Sequence, residues 1–177
     1  MLISEINFGE DKILIAEVPD CKVWTKDLLE EFSNNQDKLE HSHKINQRWE
    51  NSYLNIDCVP SVRVPMRFCR DMGLEILKIN SVILFESLPG NANPHPPFWF
   101  NVAKPNECTG LHDHAFHSVL SAVTYLSLEK GCGNLYFQKD EEIEIEPEVG
   151  MIVIFPPHFK HGVRPNKSSK DLSLIHI

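Results

Sequence analysis

Two different spacings of apolar residues divide the chain near residue 74. Before that point, Leu28, Leu29 and Phe32 recur at helical spacing. Thr25 precedes them in a position suited to cap a helix, and acidic residues follow it where the helix dipole favours negative charge. The pattern predicts a helix over residues 25–40.

A second helix is predicted by Val64, Phe68 and Met72, which repeat every four residues. The spacing predicts a helix over residues 61–72 that ends at the glycine after Met72. Residues 33–60 are mostly polar and predict a loop with short helical turns. We expect both helices to cover one face of a sheet.

From residue 74 onward the apolar period changes to two, and Gly and Pro residues separate short runs. Several short strands at near-regular spacing predict a mainly β fold with flanking helices, specifically a cupin-like jelly roll, or double-stranded β-helix. The candidate strands are Leu74–Lys78, Val82–Phe85, Phe98–Ala103, Val119–Leu126, Asn134–Phe137, Glu142–Glu146, Met151–Phe155, Gly162–Arg164 and Leu172–Ile177.

Chain length predicts the number of domains, and net charge limits the kinds of partner. The 177 residues suffice for one domain with a full core, so we predict a single domain over 1–177. Residues 1–73 would form a supporting region and residues 74–177 the jelly-roll core. The formal net charge of −8 argues against nucleic acid as the main partner.

The cysteines and the apolar runs predict the cellular compartment of the protein. The five cysteines show no C-x-x-C spacing and are typical of reduced, mostly buried thiols in a cytoplasmic protein. The opening residues acquire acidic side chains at once, which predicts that there is no signal peptide. No apolar run approaches membrane-spanning length, so no membrane partner is expected.

The segment His112-Asp113-His114 is the strongest chemical signal. Side chains alternate along an extended strand, so both imidazoles share one face while Asp113 faces away. His161 follows the apolar strand Met151–Phe155 and can close the same face. Three converging neutral imidazoles suit a first-row metal and leave coordination positions open. We predict that all three bind one divalent ion at roughly 2.0–2.2 Å.

The remaining aromatic and imidazole side chains have ordinary explanations. We expect surface or outer positions for His117 and His158, and a loop position near the site for His95. His41 and His43 repeat the H-x-H spacing in a polar segment, which predicts solvent exposure. Core packing is expected for Trp99.

Five blocks in this order and spacing resemble the core of the phage-type 2-oxoglutarate/Fe(II) oxygenases, over roughly residues 97–171. They are Trp99-Phe100-Asn101-Val102, His112-x-His114, Leu120-Ser121-Ala122-Val123-Thr124-Tyr125-Leu126, Gly133-Asn134-Leu135-Tyr136-Phe137, and Gly150-Met151-Ile152-Val153-Ile154-Phe155-Pro156 with His161-Gly162-Val163-Arg164-Pro165-Asn166.

The resemblance implies a double-stranded β-helix with Fe(II) at one open end and 2-oxoglutarate bound to the metal. His112 and His161 match the two histidines of the family motif, and His114 stands where many relatives carry a carboxylate. Tyr125 matches a tyrosine that assists the far carboxylate of 2-oxoglutarate. Relatives hold that carboxylate with an Arg about ten residues beyond the last histidine. No Arg lies there, and Lys170 is the candidate cation.

Two other classes of protein remain open. A cupin-type three-histidine dioxygenase would share the fold and need no 2-oxoglutarate, although Ser118 stands where cupins usually carry a Glu. The second open class is a non-enzymatic β-sandwich whose metal site has lost its function. The closing segment Leu172–Ile177 resembles a translated sequencing adapter, so we expect the native chain to continue differently after Asp171. The substrate and the oligomeric state are not indicated by any motif.

Overall fold

A computed structural model describes residues 3–42, 44–45, 48–87, 89–90, 94–115 and 118–177. Predictions for His43 and His117 therefore lie outside the described residues. The helices are α1 (Cys21–Asn34) and α2 (Arg63–Met72), with 3-10 turns at Gln36–Lys38 and Pro60–Val62. The strands are β1 (Ile3–Phe8), β2 (Asp11–Glu17), β3 (Glu40–His41), β4 (Lys44–Ile45), β5 (Arg48–Trp49), β6 (Ser52–Tyr53), β7 (Trp99–Ala103), β8 (Thr109–His112), β9 (Ser121–Ser127), β10 (Leu135–Gln138), β11 (Glu142–Ile145), β12 (Met151–Phe155), β13 (His161–Val163) and β14 (Leu172–His176).

Strands β7 to β14 are divided between two facing antiparallel sheets, four in each, and the chain crosses from one sheet to the other after every strand except β10, which forms a hairpin with β11. The larger sheet has the order β1-β2-β12-β9-β14-β7-β6-β3, and the smaller has the order β11-β10-β13-β8. Strands β4 and β5 pair separately. This division of eight strands between two sheets is a jelly roll, which confirms the predicted fold class.

Strands at the centre of the larger sheet are buried on both faces. On β12, Val153 and Phe155 contribute to the core between the two sheets, whereas Ile152 and Ile154 face the helices. The side chains of β9 are divided between the same two cores, and Tyr125 lies in the core between the sheets. Period-two alternation therefore assigns neighbouring apolar residues to separate cores.

Both helices pack on one face of the larger sheet, as predicted. Trp24 and Leu28 of α1, and Met66 and Cys69 of α2, share the apolar cluster that contains Ile152. Their boundaries differ from the prediction: α1 begins before Thr25 and ends at residue 34 rather than 40. Among the described residues, no helix has the length and apolar character needed to cross a membrane.

Two of the predicted strands, Leu74–Lys78 and Val82–Phe85, are wrong. Gly73–Leu77 forms a π-helical turn that continues α2, because Ile76 follows Met72 at helical spacing and packs against the helix-side core. Residues 82–85 form no strand. Their apolar side chains alternate between exposed and half-buried positions, and no neighbouring strand pairs with their backbone.

The expectation of a helical and loop region over residues 1–73 was also incomplete. Strands β1 and β2 form a hairpin, and β2 pairs with β12 at the edge of the jelly roll. Ile13 and Leu14 are buried and Ile15 is half-buried on this strand. The cysteines only partly follow the prediction: Cys69 and Cys132 are buried, whereas Cys108 is exposed.

We predict that Gly133→Ala destabilises the fold far more than Gly131→Ala. Both glycines have positive φ values, of 101° and 82°, so each alanine carries the backbone penalty of about 1–2 kcal/mol. Only at Gly133 would the added Cβ collide with a backbone atom, the carbonyl oxygen of Arg164. That collision would disturb the β10–β13 pairing, so we expect about 2 kcal/mol of further loss. Urea unfolding measures both values, and equal losses would contradict the close approach.

Candidate metal centre

The smaller sheet brings the first and last predicted histidines together. His112 ends β8 and His161 begins β13, and the two are direct partners in the antiparallel register. Their ring centroids are 4.3 Å apart. The strand that carries each histidine therefore determines its position, and the 49-residue separation (161 − 112) is closed by sheet pairing.

His114 joins them from the loop after β8. Its backbone N–H donates to the carbonyl of Pro157 at 2.7 Å, which ties this loop to the segment before β13. The ring centroid of His114 lies 4.9 Å from that of His161 and 5.1 Å from that of His112. One candidate ligand nitrogen from each ring lies within 4.8 Å of the others.

A hydrogen bond at Nδ1 orients each of the three rings. The Nδ1 atoms of His112 and His161 each lie 2.9 Å from a backbone carbonyl oxygen, of Gly110 and Phe159 respectively. A carbonyl only accepts, so each Nδ1 carries the proton and leaves the Nε2 lone pair available to a metal. The Nδ1 of His114 lies 3.0 Å from the hydroxyl of Ser121.

His161 is fully buried, and its Nε2 makes no hydrogen bond to a described residue. The ring of Phe155 packs against it at 4.7 Å between centroids. Burial, reinforced by the neighbouring His112, lowers the pKa of His161 well below its usual value. A neutral buried imidazole with an unpartnered nitrogen fits a metal ligand.

His176 adds a fourth imidazole that sequence reasoning missed. It is buried, and neither ring nitrogen makes a hydrogen bond to a described residue. Its ring stacks on Trp99 at 5.1 Å and lies 5.7 Å from His161. Among the described residues, the group whose ligand atoms lie within 4.8 Å of one another consists of His112, His114 and His161, so we assign His176 no role in metal binding.

A cavity of about 470 Å³ opens in front of His112 and His114. Trp99 lines it and is only half-buried, which corrects the expectation of core packing. Trp99 faces the cavity because its neighbours Phe98 and Phe100 occupy the helix-side face of the sheet. His95 also lines the cavity, as predicted.

Asp113 is exposed at the cavity mouth, where its carboxylate accepts from the backbone N–H of Ala115. It was expected to point away from the cavity, but β8 ends at His112 and strand alternation no longer applies. His158 is exposed and pairs with Asp11 at 3.3 Å, as expected for a surface histidine.

Sequence reasoning also missed a buried polar network beside the cavity. The side chain of Arg48 is only 7% exposed and donates to the Asn101 carboxamide and to the carbonyl of Cys108. Glu50 is equally buried and lines the cavity together with Asn101. Arg48 and Glu50 lie in a short polar segment without apolar periodicity, so no local pattern indicated their burial.

The two residues predicted to hold a co-substrate lie apart. Tyr125 is fully buried between the sheets, and its hydroxyl makes no hydrogen bond to a described residue. Burial raises the pKa of that hydroxyl. Lys170 is instead 73% exposed and pairs with Glu129 at 2.9 Å. Leu172 is the next residue on this stretch to face the cluster around Tyr125.

No family model matches this sequence, and no curated protein matches it. Solved structures do share the fold. The carbocyclase SnoK from nogalamycin biosynthesis, described as non-heme and alpha-ketoglutarate-dependent, has a TM-score of 0.66 at 10% identity, over 93% of this chain and 77% of that one.

Two hydroxylases are similar as well. A prolyl-4-hydroxylase from Pseudomonas putida has a TM-score of 0.64 at 15% identity, covering 95% of this chain and 91% of that one. A prolyl hydroxylase from Trichoplax adhaerens, solved with a hypoxia-inducible factor peptide, has a TM-score of 0.64 at 12% identity over 93% and 81%. The protein therefore has the fold of the 2-oxoglutarate/Fe(II) oxygenases, with a cluster of three histidines at its candidate metal centre.

Proposed function

We propose that this protein is a non-haem Fe(II) oxygenase of the 2-oxoglutarate-dependent kind, which hydroxylates a substrate bound in the cavity beside Trp99. The observation that carries the proposal is the convergence of His112, His114 and His161 in a jelly roll of this class. Fold alone does not specify an activity, so the donor set is the essential support.

The donor set fits a divalent metal of the first transition row. Imidazole nitrogen is a common ligand for iron, and three ligands leave positions for small molecules. Bound iron would supply the redox chemistry with oxygen and co-substrate. The protein's share is to engage Nδ1 of His112 and of His161 with backbone carbonyls, so that Nε2 is the nitrogen left for the metal, and to exclude water from His161 through Phe155.

The fit of 2-oxoglutarate is incomplete in this chain. The unpartnered hydroxyl of Tyr125 suits one carboxylate oxygen, but a buried carboxylate also needs a cation. The ammonium of Lys170 pairs with Glu129 at the surface. Leu172, which is fully buried and apolar, lies eleven residues (172 − 161) beyond His161, close to the spacing of about ten at which the family resemblance implies an Arg.

A three-histidine dioxygenase that needs no 2-oxoglutarate is the second candidate. One observation favours it: His114 takes the place of the usual carboxylate. The two candidates share the metal centre and differ only in the co-substrate. A non-enzymatic sandwich would differ from both by lacking metal affinity.

We predict that His161→Ala lowers the affinity for Fe(II) by about 100-fold or more, since loss of an outer-shell partner alone costs 10–100-fold. His158→Ala should leave the affinity unchanged, because this imidazole is exposed and pairs with Asp11. Affinity should fall as the pH is lowered, because protons compete for the imidazoles. Anaerobic competition titrations measure all three effects. Equal losses in the two variants would argue against the assigned ligands.

We predict that Leu172→Arg creates 2-oxoglutarate affinity at least tenfold above that of the unchanged chain. The new guanidinium would lie in the cluster of Tyr125 and form a forked pair with the far carboxylate. Leu172→Met is the matched control, because it keeps the apolar character and volume. Calorimetry on the Fe(II)-loaded, oxygen-free proteins measures the affinities.

The activity test compares succinate formation by Leu172→Arg with that of the double variant that also carries His161→Ala. The proposal expects succinate from the first and background from the second. Strong Fe(II) binding without any 2-oxoglutarate affinity in Leu172→Arg would favour the three-histidine dioxygenase. Absence of Fe(II) binding would favour the non-enzymatic sandwich.

A further inference from the structure

The Asp, Glu, Lys and Arg side chains on the described part of the cavity wall are all acidic. Among the described residues that line the cavity, Glu50, Glu86 and Asp113 carry negative charge, and none is Lys or Arg. Glu86 and Asp113 are exposed at the mouth, whereas Glu50 is buried. The cavity thus has an acidic entrance and one carboxylate inside.

Arg48 pairs with Glu50 but also with a second carboxylate, that of Glu107. Its guanidinium lies 3.5 Å from the Glu50 carboxylate, at the limit of a hydrogen bond, and 3.4 Å from the carboxylate of Glu107. Its shortest contacts are to neutral acceptors, the Asn101 carboxamide and the Cys108 carbonyl. One cation is therefore shared between two carboxylates, and the wall keeps net negative charge.

Aromatic and apolar surfaces form the rest of the wall. Tyr53 and His95 stack at 4.0 Å between ring centroids, and Trp99 lies beside them. Leu84 and Leu111 also line the cavity. Aromatic faces attract cations and also pack against aliphatic chains, so they suit both parts of an amphipathic substrate.

An independent observation indicates that a metal ion belongs beside this cavity. The Nε2 of fully buried His161 is unpartnered among described residues and belongs to the cluster with His112 and His114, which line the cavity. The acidic wall and the candidate metal centre therefore share one space. A molecule held by Glu50 would lie in the same cavity as the metal.

We propose that the cavity takes a substrate with a cationic amine or guanidinium at the end of an apolar stem. The cation would pair with Glu50, and the stem would pack along Trp99 in front of the histidines. This inference rests on the proposed function for its reaction, but the recognition does not depend on it. The same group occurs in free amines and in basic side chains of polypeptides.

The test compares three compounds of similar length and different charge: pentylammonium, 1-pentanol and hexanoate. Binding to the metal-free protein is measured by ligand-observed NMR titration at low ionic strength. We expect pentylammonium to bind at least tenfold more tightly than pentanol, and hexanoate more weakly than both. Salt should reduce the difference, because the charges at the mouth are exposed to solvent. Equal affinity for the three compounds would overturn the proposal.

Carboxylate-to-amide variants show which acidic side chain binds the ammonium group. Glu50→Gln should remove most of the preference for pentylammonium over pentanol, while Glu30→Gln, an exposed carboxylate on α1, should leave it intact. If Glu50→Gln fails to fold, Glu86→Gln with Asp113→Asn should still reduce the preference and its salt dependence. An unchanged preference in all the cavity variants would also overturn the proposal.

A second comparison separates the two sources of the cation. Free L-lysine and the blocked peptide acetyl-Leu-Lys-Leu-amide present the same ammonium, so tighter binding of one identifies the source. Because no iron or oxygen is present, these outcomes are independent of the proposed reaction. A preference for the cation without any oxygenase activity would refute the proposed function and support this inference. Oxygenase activity without a preference for the cation would support the proposed function and refute this inference.

Discussion

The antiparallel pairing of β8 with β13 is the constraint on which the candidate centre depends. It places His112 directly opposite His161 and leaves His114 to join from the following loop. The pairing is supported on its other side by β10, whose Phe137 is the partner of His161 in register. Without this register the histidines would be distant residues with no common chemistry.

The larger sheet serves a different purpose. Its central strands are buried on both faces, so it separates a helix-side core from the core between the sheets. The inter-sheet core surrounds Tyr125 and reaches the buried face of His161 through Phe155. This dry environment keeps His161 neutral, since burial is the main cause of its lowered pKa. A metal would replace the hydrogen bond that the buried Nε2 lacks.

The parts of the structure that local pattern encodes were predictable. Strands β9 and β12 have strong apolar runs, and the H-x-H pair with a later histidine is recognisable by spacing alone. Strands β1 and β2 were missed because their burial depends on pairing with β12, far away in sequence. The π-helical turn at Gly73–Leu77 was mistaken for a strand because its short apolar run fits both periods.

The cavity wall was the least predictable part. Arg48 and Glu50 are polar residues in a polar segment, and they are buried by contacts with residues far away in sequence, among them Asn101 and Val102 of β7. Trp99 was assigned to the core by residue type, although its strand position turns it toward the cavity. Residues that depend on distant partners leave no periodic signal, and such residues form most of the surface that a substrate would meet.

X-ray absorption of the Zn(II)-loaded protein would show whether His112, His114 and His161 hold one metal ion. Zinc is redox-inert and gives metal–imidazole distances of about 2.0–2.1 Å. We expect a first shell with three imidazole nitrogens at that distance, and loss of one of them in His114→Ala. A shell of oxygen ligands alone, or a spectrum unchanged by that substitution, would contradict it.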